Sequence, residues 1–431
     1  KTYHGIKEQQ EEFFDSFVKD TDESGFEMVA ETKEVDIEQS IDEAEQAPII
    51  KLVNFILARA IEEGVSDIHI EPYEKTVRVR YRIDGKLEEF HSPPKSVQAA
   101  LTSRIKIMCD MDIAEHRVPQ DSRFRIKYRN REIDFRVSTV PTYYGEKIVM
   151  RILDKSAVSL GLKELNFESQ PMDALLEAMQ QPYGMIIMCG PTGSGKTTTL
   201  YSMLSQLNQP DVNVVTVEDP VEYELAGINQ IPIKAEVNLT FAAALRSILR
   251  QDPDIIMVGE MRDQETSDIA VKAALTGHLV LSTLHANDAS AVPTRLMDMG
   301  LEPYLISSGL ILSAAQRLMR RVCPDCKEAF YPPRDVLDRI QYTGPDDEPI
   351  FFRARGCKKC KNLGYKGRLA VIECMLVDDE IQDLIMARAP ASEIKRKARE
   401  LGMRTLRENA LAKAVAGLTT LDEVLRVTAA D

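Results

Sequence analysis

Tryptophan is absent from the 431 residues, and aromatic side chains make up only 6% of them. A groove that grips single-stranded nucleic acid stacks bases on aromatic rings set among basic residues, so this poverty argues against a strand-binding protein. Long apolar runs are missing as well. Met185 to Cys189 and Ile255 to Val258 have the length of buried strands and fall far short of the ~20 residues that a spanning helix needs. No secretory leader pattern opens the chain. Its first residue is Lys rather than Met, which gives the expectation of a fragment whose N-terminal domain has been removed. A soluble, cytoplasmic chain is expected, meeting a membrane only through partners.

Positive charge is also in deficit, with 54 basic residues against 68 acidic ones and a net charge of -14. The excess is local: residues 1–47 hold fifteen Asp or Glu against four Lys, and the rest of the chain is close to neutral. Residues 1–46 are therefore expected to form an acidic linker or tail, either a solvated disordered run or a partner-binding arm. With 44% hydrophobic and 28% charged residues the remainder is globular, and its length suits about two or three domains.

Order is expected from Ala47, where Ile49, Ile50, Val53, Ile56, Leu57, Ala60 and Ile61 fall on one helical face and Gly64 ends the helix. Alternation from Asp67 to Glu71 and from Val77 to Ile83 predicts strands, with Asp84-Gly85 as a turn. Further strands are expected around Phe124 to Ile126 and Ile133 to Val137, and a helix from Ala99 to Met111. Residues 47–154 thus read as a small α+β domain, followed by a linker over 155–165. From residue 166 to about 320, apolar strands alternate with amphipathic helices, the pattern of a mostly parallel sheet covered on both faces. A cysteine-bearing insert over 321–370 and a helical C-terminal part over 371–431 complete the chain.

The run Gly190-Pro191-Thr192-Gly193-Ser194-Gly195-Lys196-Thr197, followed by Thr198, is a full phosphate-loop pattern. It sits between an apolar strand and a segment whose Leu200, Met203, Leu204 and Leu207 share one helical face, which is the context the pattern requires. The glycines let backbone N–H groups close around phosphate oxygens at a helix N-terminus. Lys196 is then expected on the β and γ phosphates of ATP, and the Thr197 hydroxyl on magnesium.

Other strand ends carry the rest of the chemistry. Val212 to Val217 breaks at Pro220 and places Glu218, Asp219 and Glu222 at the carboxyl edge of the sheet, where ligands bind in open α/β folds. One or more of them is expected to hold magnesium or its water. Ile255 to Val258 ends in Gly259-Glu260, whereas such a strand commonly ends in a metal-holding Asp. Glu260 is therefore left to orient the attacking water. Leu279 to Leu284 is bracketed by His278 and His285, and His285 is expected to sense or position the γ-phosphate region.

These residues together resemble the secretion ATPase family, the motors of type II secretion and of type IV pilus extension and retraction. The likeness is carried by SDIHIEP at Ser66 to Pro72, RVPQDSR at Arg117 to Arg123, RVST at Arg136 to Thr139, the phosphate loop, VEDPVEY at Val217 to Tyr223, VGEMRD at Val258 to Asp263 and TGHLVLSTLHAND at Thr276 to Asp288. The resemblance implies an α/β fold with a RecA-like motor domain preceded by a PAS-like domain. It further implies six chains in a ring, an inner-membrane platform protein as partner, and arginines of the preceding domain reaching the nucleotide. Arg123 and Arg136 match that last feature best, with Arg151 and Arg295 behind them.

Cys323 and Cys326 form one C-x-x-C pair and Cys357 and Cys360 another. Two such pairs fit a tetrahedral zinc site, although the 30 residues between them exceed the spacing of simple ribbons. The resemblance supports zinc, because secretion and extension motors commonly carry a four-cysteine insert here and retraction motors lack it. Cys109, Cys189 and Cys374 have no partner spacing and are expected as buried thiols. The resulting expectation is a hexameric ATPase driving pilus extension, with type II secretion as the alternative. A nucleic-acid translocase is disfavoured by composition, and a nucleotide-gated scaffold without turnover is disfavoured by Glu260.

Overall fold

The computed structural model describes residues 35–36, 48–129, 131–154, 161–340, 342 and 348–428. Apart from Val35–Asp36, the expected acidic tail lies outside the described residues, as does the part of the expected 155–165 linker over 155–160; the rest of it includes a short 3-10 helix, Leu162–Leu165. The chain divides into two units, residues 1–157 and 158–431.

In the first unit the helix Pro48–Glu62 forms because its apolar residues recur at three- and four-residue spacing, so that Leu52, Val53, Ile56, Leu57 and Ala60 are all buried. Gly64 ends it in the left-handed region, with φ 66°. The strands are β1 (Val35–Asp36), β2 (Asp67–Pro72), β3 (Val77–Ile83), β4 (Lys86–His91), β5 (Gln120–Tyr128), β6 (Arg131–Thr142) and β7 (Gly145–Asp154). Among the described residues they lie in one sheet, in the order β1-β5-β6-β7-β2-β3-β4. One face carries Ile68, Ile70, Val79, Tyr81, Ile133, Phe135, Ile148 and Met150, packed with the helices Pro48–Glu62 and Gln98–Met108. Each such side chain contributes about 1.5–3 kcal/mol by leaving water.

The opposite face is charged. In cross-strand register it carries the row Arg123, Arg136, Arg151, Asp67, Arg82. Asp67 pairs with Arg151 at 3.0 Å and with Arg82 at 3.3 Å. Glu71 is gripped by Arg80, Arg78 and Lys147. Against burial, which alone would raise it, these contacts hold the Glu71 carboxyl at about 2. The polar residues of β2 are consequently as buried as the apolar ones: its side chains alternate in chemistry but not in exposure.

The second unit is built on β8 (Gly184–Cys189), β9 (Val214–Glu218), β10 (Asn229–Pro232), β11 (Ile255–Val258), β12 (Leu279–Leu284) and β13 (Leu310–Val322). Two short strands, β14 (Lys327–Phe330) and β15 (Phe351–Ala354), pair with each other, and β16 (Tyr365–Leu376) returns to the large sheet. Its order is β10-β9-β11-β12-β8-β13-β16, parallel throughout except for the antiparallel β13–β16 pair. The central strands β8, β9, β11 and β12 are buried along their whole length, which is why they read as apolar runs. Helices cover both faces. Thr240 caps Phe241–Ile248, and Asp263, the last residue of VGEMRD, caps Gln264–Leu275 by accepting from Thr266 N at 2.8 Å.

The positions expected as boundaries near 320 and 370 fall inside β13 and β16, and the cysteine-bearing segment, which holds β14, the helix Arg334–Arg339 and β15, is an insertion between two adjacent strands of the sheet. Four helices then follow, Asp379–Met386, Ala391–Glu400, Leu406–Val415 and Leu421–Val427.

Candidate nucleotide site and metal centre

β8 brings the chain to Gly190 at the carboxyl edge of the sheet, and the loop from Gly190 to Gly195 turns into the helix Lys196–Leu207. Strand, loop and helix follow one another as the phosphate-loop chemistry needs, with the positive end of a helix dipole at the loop. Lys196 folds back over it, Nζ donating to the carbonyls of Gly190 at 2.8 Å and Pro191 at 3.1 Å. Burial lowers its pKa, as Arg317 also does, while Cys189 and Glu260 act the other way.

What fixes the loop is a residue that sequence reasoning missed. Gln316 on the neighbouring strand β13 is 1% exposed. Its Nε2 donates to Ser194 O at 3.0 Å, and its Oε1 accepts from Thr199 Oγ1 at 2.8 Å. Gly195 is needed beside it: φ there is 88°, and a Cβ would stand 2.8 Å from Gln316 Nε2. The available signal was a lone amide directly after the small and apolar stretch from Leu310 to Ala315.

At the end of β9 the three acidic residues separate. Glu218, expected among the cofactor-binding residues, turns inward at 3% exposure. Its carboxylate accepts from Tyr201 OH, from Thr216 Oγ1 at 2.5 Å and from Gln230 Nε2 at 3.1 Å. Those contacts occupy both oxygens, so Glu218 anchors the loop that follows rather than facing a ligand. Gln230 completes the anchor by accepting from Leu225 N at 2.7 Å. Asp219 stays exposed, with its carboxylate 3.8 Å from Arg262. The backbone N of Glu222 donates to Tyr201 OH at 3.3 Å.

Glu260 stands at the end of β11, with one oxygen bonded by Arg262 and the other 3.7 Å from His285 Nε2. The Gly in place of Asp before it has a steric basis. A Cβ on Gly259 would lie 3.3 Å from both Glu218 Cα and Val217 O on the adjoining strand, and Gly259 N donates to Val217 O at 2.8 Å. The structure therefore brings Lys196, Glu260, Arg262, Asp219 and His285 to one edge. His278 is not among them: it lies at the opposite end of β12, its Nδ1 2.9 Å from Ala273 O at the end of the helix Gln264–Leu275. Arg295 lies on the helix Ala291–Asp298 and lines a cavity of about 690 Å³ that opens beside Gly190, Pro191 and His285. Arg123, Arg136 and Arg151 belong to the charged face of the first unit.

The cysteine pairs meet. All four Sγ atoms of Cys323, Cys326, Cys357 and Cys360 lie within 4.8 Å of one another. Cys323–Cys357 is 3.9 Å, Cys326–Cys360 3.8 Å and Cys357–Cys360 3.7 Å. A tetrahedron of thiolates with metal–sulfur bonds of ~2.3 Å has edges of roughly 3.8 Å, whereas a disulfide would need about 2 Å. Backbone N–H groups of Cys357 and Gly364 point to Cys360 Sγ at 3.2 Å each, the outer contacts that favour a thiolate. The four residues fit a tetrahedral metal site. Cys109, Cys189 and Cys374 are buried singly, as expected.

Comparison with known proteins agrees with this geometry. The Type II/IV secretion system protein family matches residues 42–426. The chain is 52% identical to the type IV pilus assembly ATPase PilB of Myxococcus xanthus, over 91% of its length and 71% of the relative's. It is 48% identical to the type II secretion system ATPase E of Vibrio cholerae, over 91% and 77%. Among solved structures, the pilus retraction motor PilT with bound ADP superposes with a TM-score of 0.59 at 27% identity, covering 86% of this chain and 96% of the other. On this evidence, with the family matched over nearly the whole described chain, the protein belongs to the Type II/IV secretion system protein family.

Proposed function

We propose that this chain is the ATPase subunit of a machine that extends a type IV pilus, hydrolysing ATP to ADP and phosphate and passing the work to a membrane partner. The observation that carries the reading is Glu260: a carboxylate at the P-loop edge, held between Arg262 and His285, on a strand where a Cβ at position 259 would already crowd the adjoining strand at 3.3 Å.

Each residue then has a task. The loop Gly190–Gly195 and the start of the helix that follows cradle the phosphate chain, and Lys196 exchanges its two carbonyl contacts for phosphate oxygens. Glu260 orients the attacking water and accepts its proton, a role that typically contributes ~100 to 10,000-fold. His285 holds the second carboxylate oxygen of Glu260 in place. Magnesium, when bound with ATP, neutralises charge across the β and γ phosphates. The oxygen donors suited to it are the Thr197 hydroxyl and the carboxylates of Asp219 and Glu222.

The arginine row of the first unit supports a ring. Arg123, Arg136 and Arg151 occupy adjacent register positions with Asp67 as the flanking acid, an anion-attracting stripe on a unit that lacks the P-loop. Six copies, each supplying such a stripe to a nucleotide site, would make turnover depend on assembly. Zinc is the metal proposed for the four cysteines. No helix among the described residues is long and apolar enough to cross a membrane. The proposed place of action, by likeness to the pilus and secretion ATPases, is the cytoplasmic face of the inner membrane, reached through a platform protein.

The second reading, type II secretion, is favoured by the 48% identity to the Vibrio cholerae protein. Deleting the gene separates the two: loss of surface pili supports the first reading, and loss of secreted enzymes with pili intact supports the second.

A further inference from the structure

The cavity beside the phosphate loop carries polar groups that the roles assigned above leave unused. Its walls include Gly190 and Pro191 but none of the residues from Gly193 to Thr198, so it opens off the loop rather than along the cradle of the phosphate chain. Two guanidinium groups line it. Arg317 is fixed by neutral acceptors, donating to Gln316 O at 3.0 Å and Asn287 O at 2.7 Å, so no carboxylate cancels its charge. The Arg295 guanidinium makes no hydrogen bond or ion pair among the described residues. Asp298 is the single acid among the lining residues, and it leaves the cavity net positive.

We propose that this cavity is a binding site for inorganic phosphate, into which the cleaved γ-phosphoryl group moves before it leaves the protein. The inference rests on the ATPase reading above. In that reaction the water oxygen forms a new bond to the γ-phosphorus and the bond to the bridging oxygen of ADP breaks. ADP takes the bonding electron pair, and the water proton passes to Glu260. The product is a free oxyanion beside Pro191 and His285, no longer tethered to the nucleotide. Two paths are then open to it, back onto Lys196 or forward into the cavity. Arg295 offers a charge-assisted hydrogen bond there, and Arg317 adds its field. A volume of about 690 Å³ exceeds what one phosphate fills, so water enters with it and release is easy.

The test is product inhibition of the full chain by added inorganic phosphate, with ADP as the comparison. Arg295→Ala should raise the half-inhibitory phosphate concentration about tenfold or more, the usual effect of losing one charge-assisted hydrogen bond, and Arg295→Lys, which keeps the charge, should raise it less. Inhibition by ADP should be unchanged in both. Phosphate binding to the nucleotide-free protein, followed by phosphorus NMR line broadening, provides an independent reading that needs no turnover. Arg295-dependent broadening in a protein that fails to hydrolyse ATP would uphold the site while removing the ATPase reading. Phosphate inhibition and broadening that are identical in parent, Arg295→Ala and Arg295→Lys, or absent from the parent, would overturn the proposal even with ATPase activity intact.

Discussion

Gln316 binds the phosphate loop from the strand beside it, donating to Ser194 O at 3.0 Å and accepting from Thr199 Oγ1 at 2.8 Å. The loop's shape is thus set by a residue 117 positions further along the chain than Thr199. Gln316→Leu removes both contacts and leaves a buried carbonyl and hydroxyl unpaired, a loss of about 1–3 kcal/mol for each such group. ATP affinity should fall at least tenfold while the rate at saturating ATP changes less. Parental affinity in a folded Gln316→Leu protein, measured by equilibrium titration, would show that the loop holds its shape without the amide.

The metal centre predicts a local effect. Thiolate zinc sites contribute apparent binding energies of ~10 to 16 kcal/mol, so Cys357→Ser should unfold the segment between β13 and β16 while nucleotide binding weakens less. Elemental analysis should find one zinc per chain. Finding none in carefully purified protein, with all four thiols freely titratable, would remove the site.

The arginine row predicts dependence on assembly. Specific ATPase activity should rise with protein concentration, and Arg123→Ala or Arg136→Ala should slow turnover with the fold intact, by up to ~1,000-fold if the side chain meets transition-state charge. Full activity in a monomer confirmed by light scattering would contradict the ring.

Glu373 predicts a pH effect on stability. It is 1% exposed on β16 and accepts from Ala289 N and Leu406 N at 2.7 Å each, yet burial pushes its carboxyl up to about 7. The folded state therefore holds this proton more tightly than the unfolded chain does. Its contribution is fully present below the ordinary carboxylate value and is lost as pH rises through about 7, a change of roughly 3 kcal/mol. Denaturation midpoints of the parent should fall across that window relative to Glu373→Gln, which carries no titrating proton. A difference between the two that stays constant with pH would show that the carboxyl titrates normally.

How much was legible in the sequence follows from what each signal encodes. Ile255–Val258 and Leu279–Leu284 were readable to the residue, because parallel strands buried on both faces are apolar runs bounded by polar ends. The strand Lys86–His91 was missed, because its KLEEFH pattern lies at a sheet edge with no buried side chain to announce it. The P-loop residues were visible because their chemistry is local. Gln316, the inward turn of Glu218 and the tie of His278 to Ala273 were not, because each depends on a partner that only the folded sheet brings near. The register that aligns Arg123, Arg136 and Arg151 is likewise a property of three paired strands, although all three arginines could be picked out singly.

Glu260 activates water while Lys196 binds phosphate in the proposed reaction, and ATP affinity and single-turnover hydrolysis measured together for Glu260→Gln and Lys196→Ala separate the two roles. Glu260→Gln should bind ATP with magnesium about as well as the parent and hydrolyse it ~100 to 10,000-fold more slowly. Lys196→Ala should lose affinity, since its amine meets the phosphates in the ground state as well. Near-parental hydrolysis in Glu260→Gln, with a substitution at Glu222 abolishing turnover but not binding, would contradict the account and assign the base to the loop after β9.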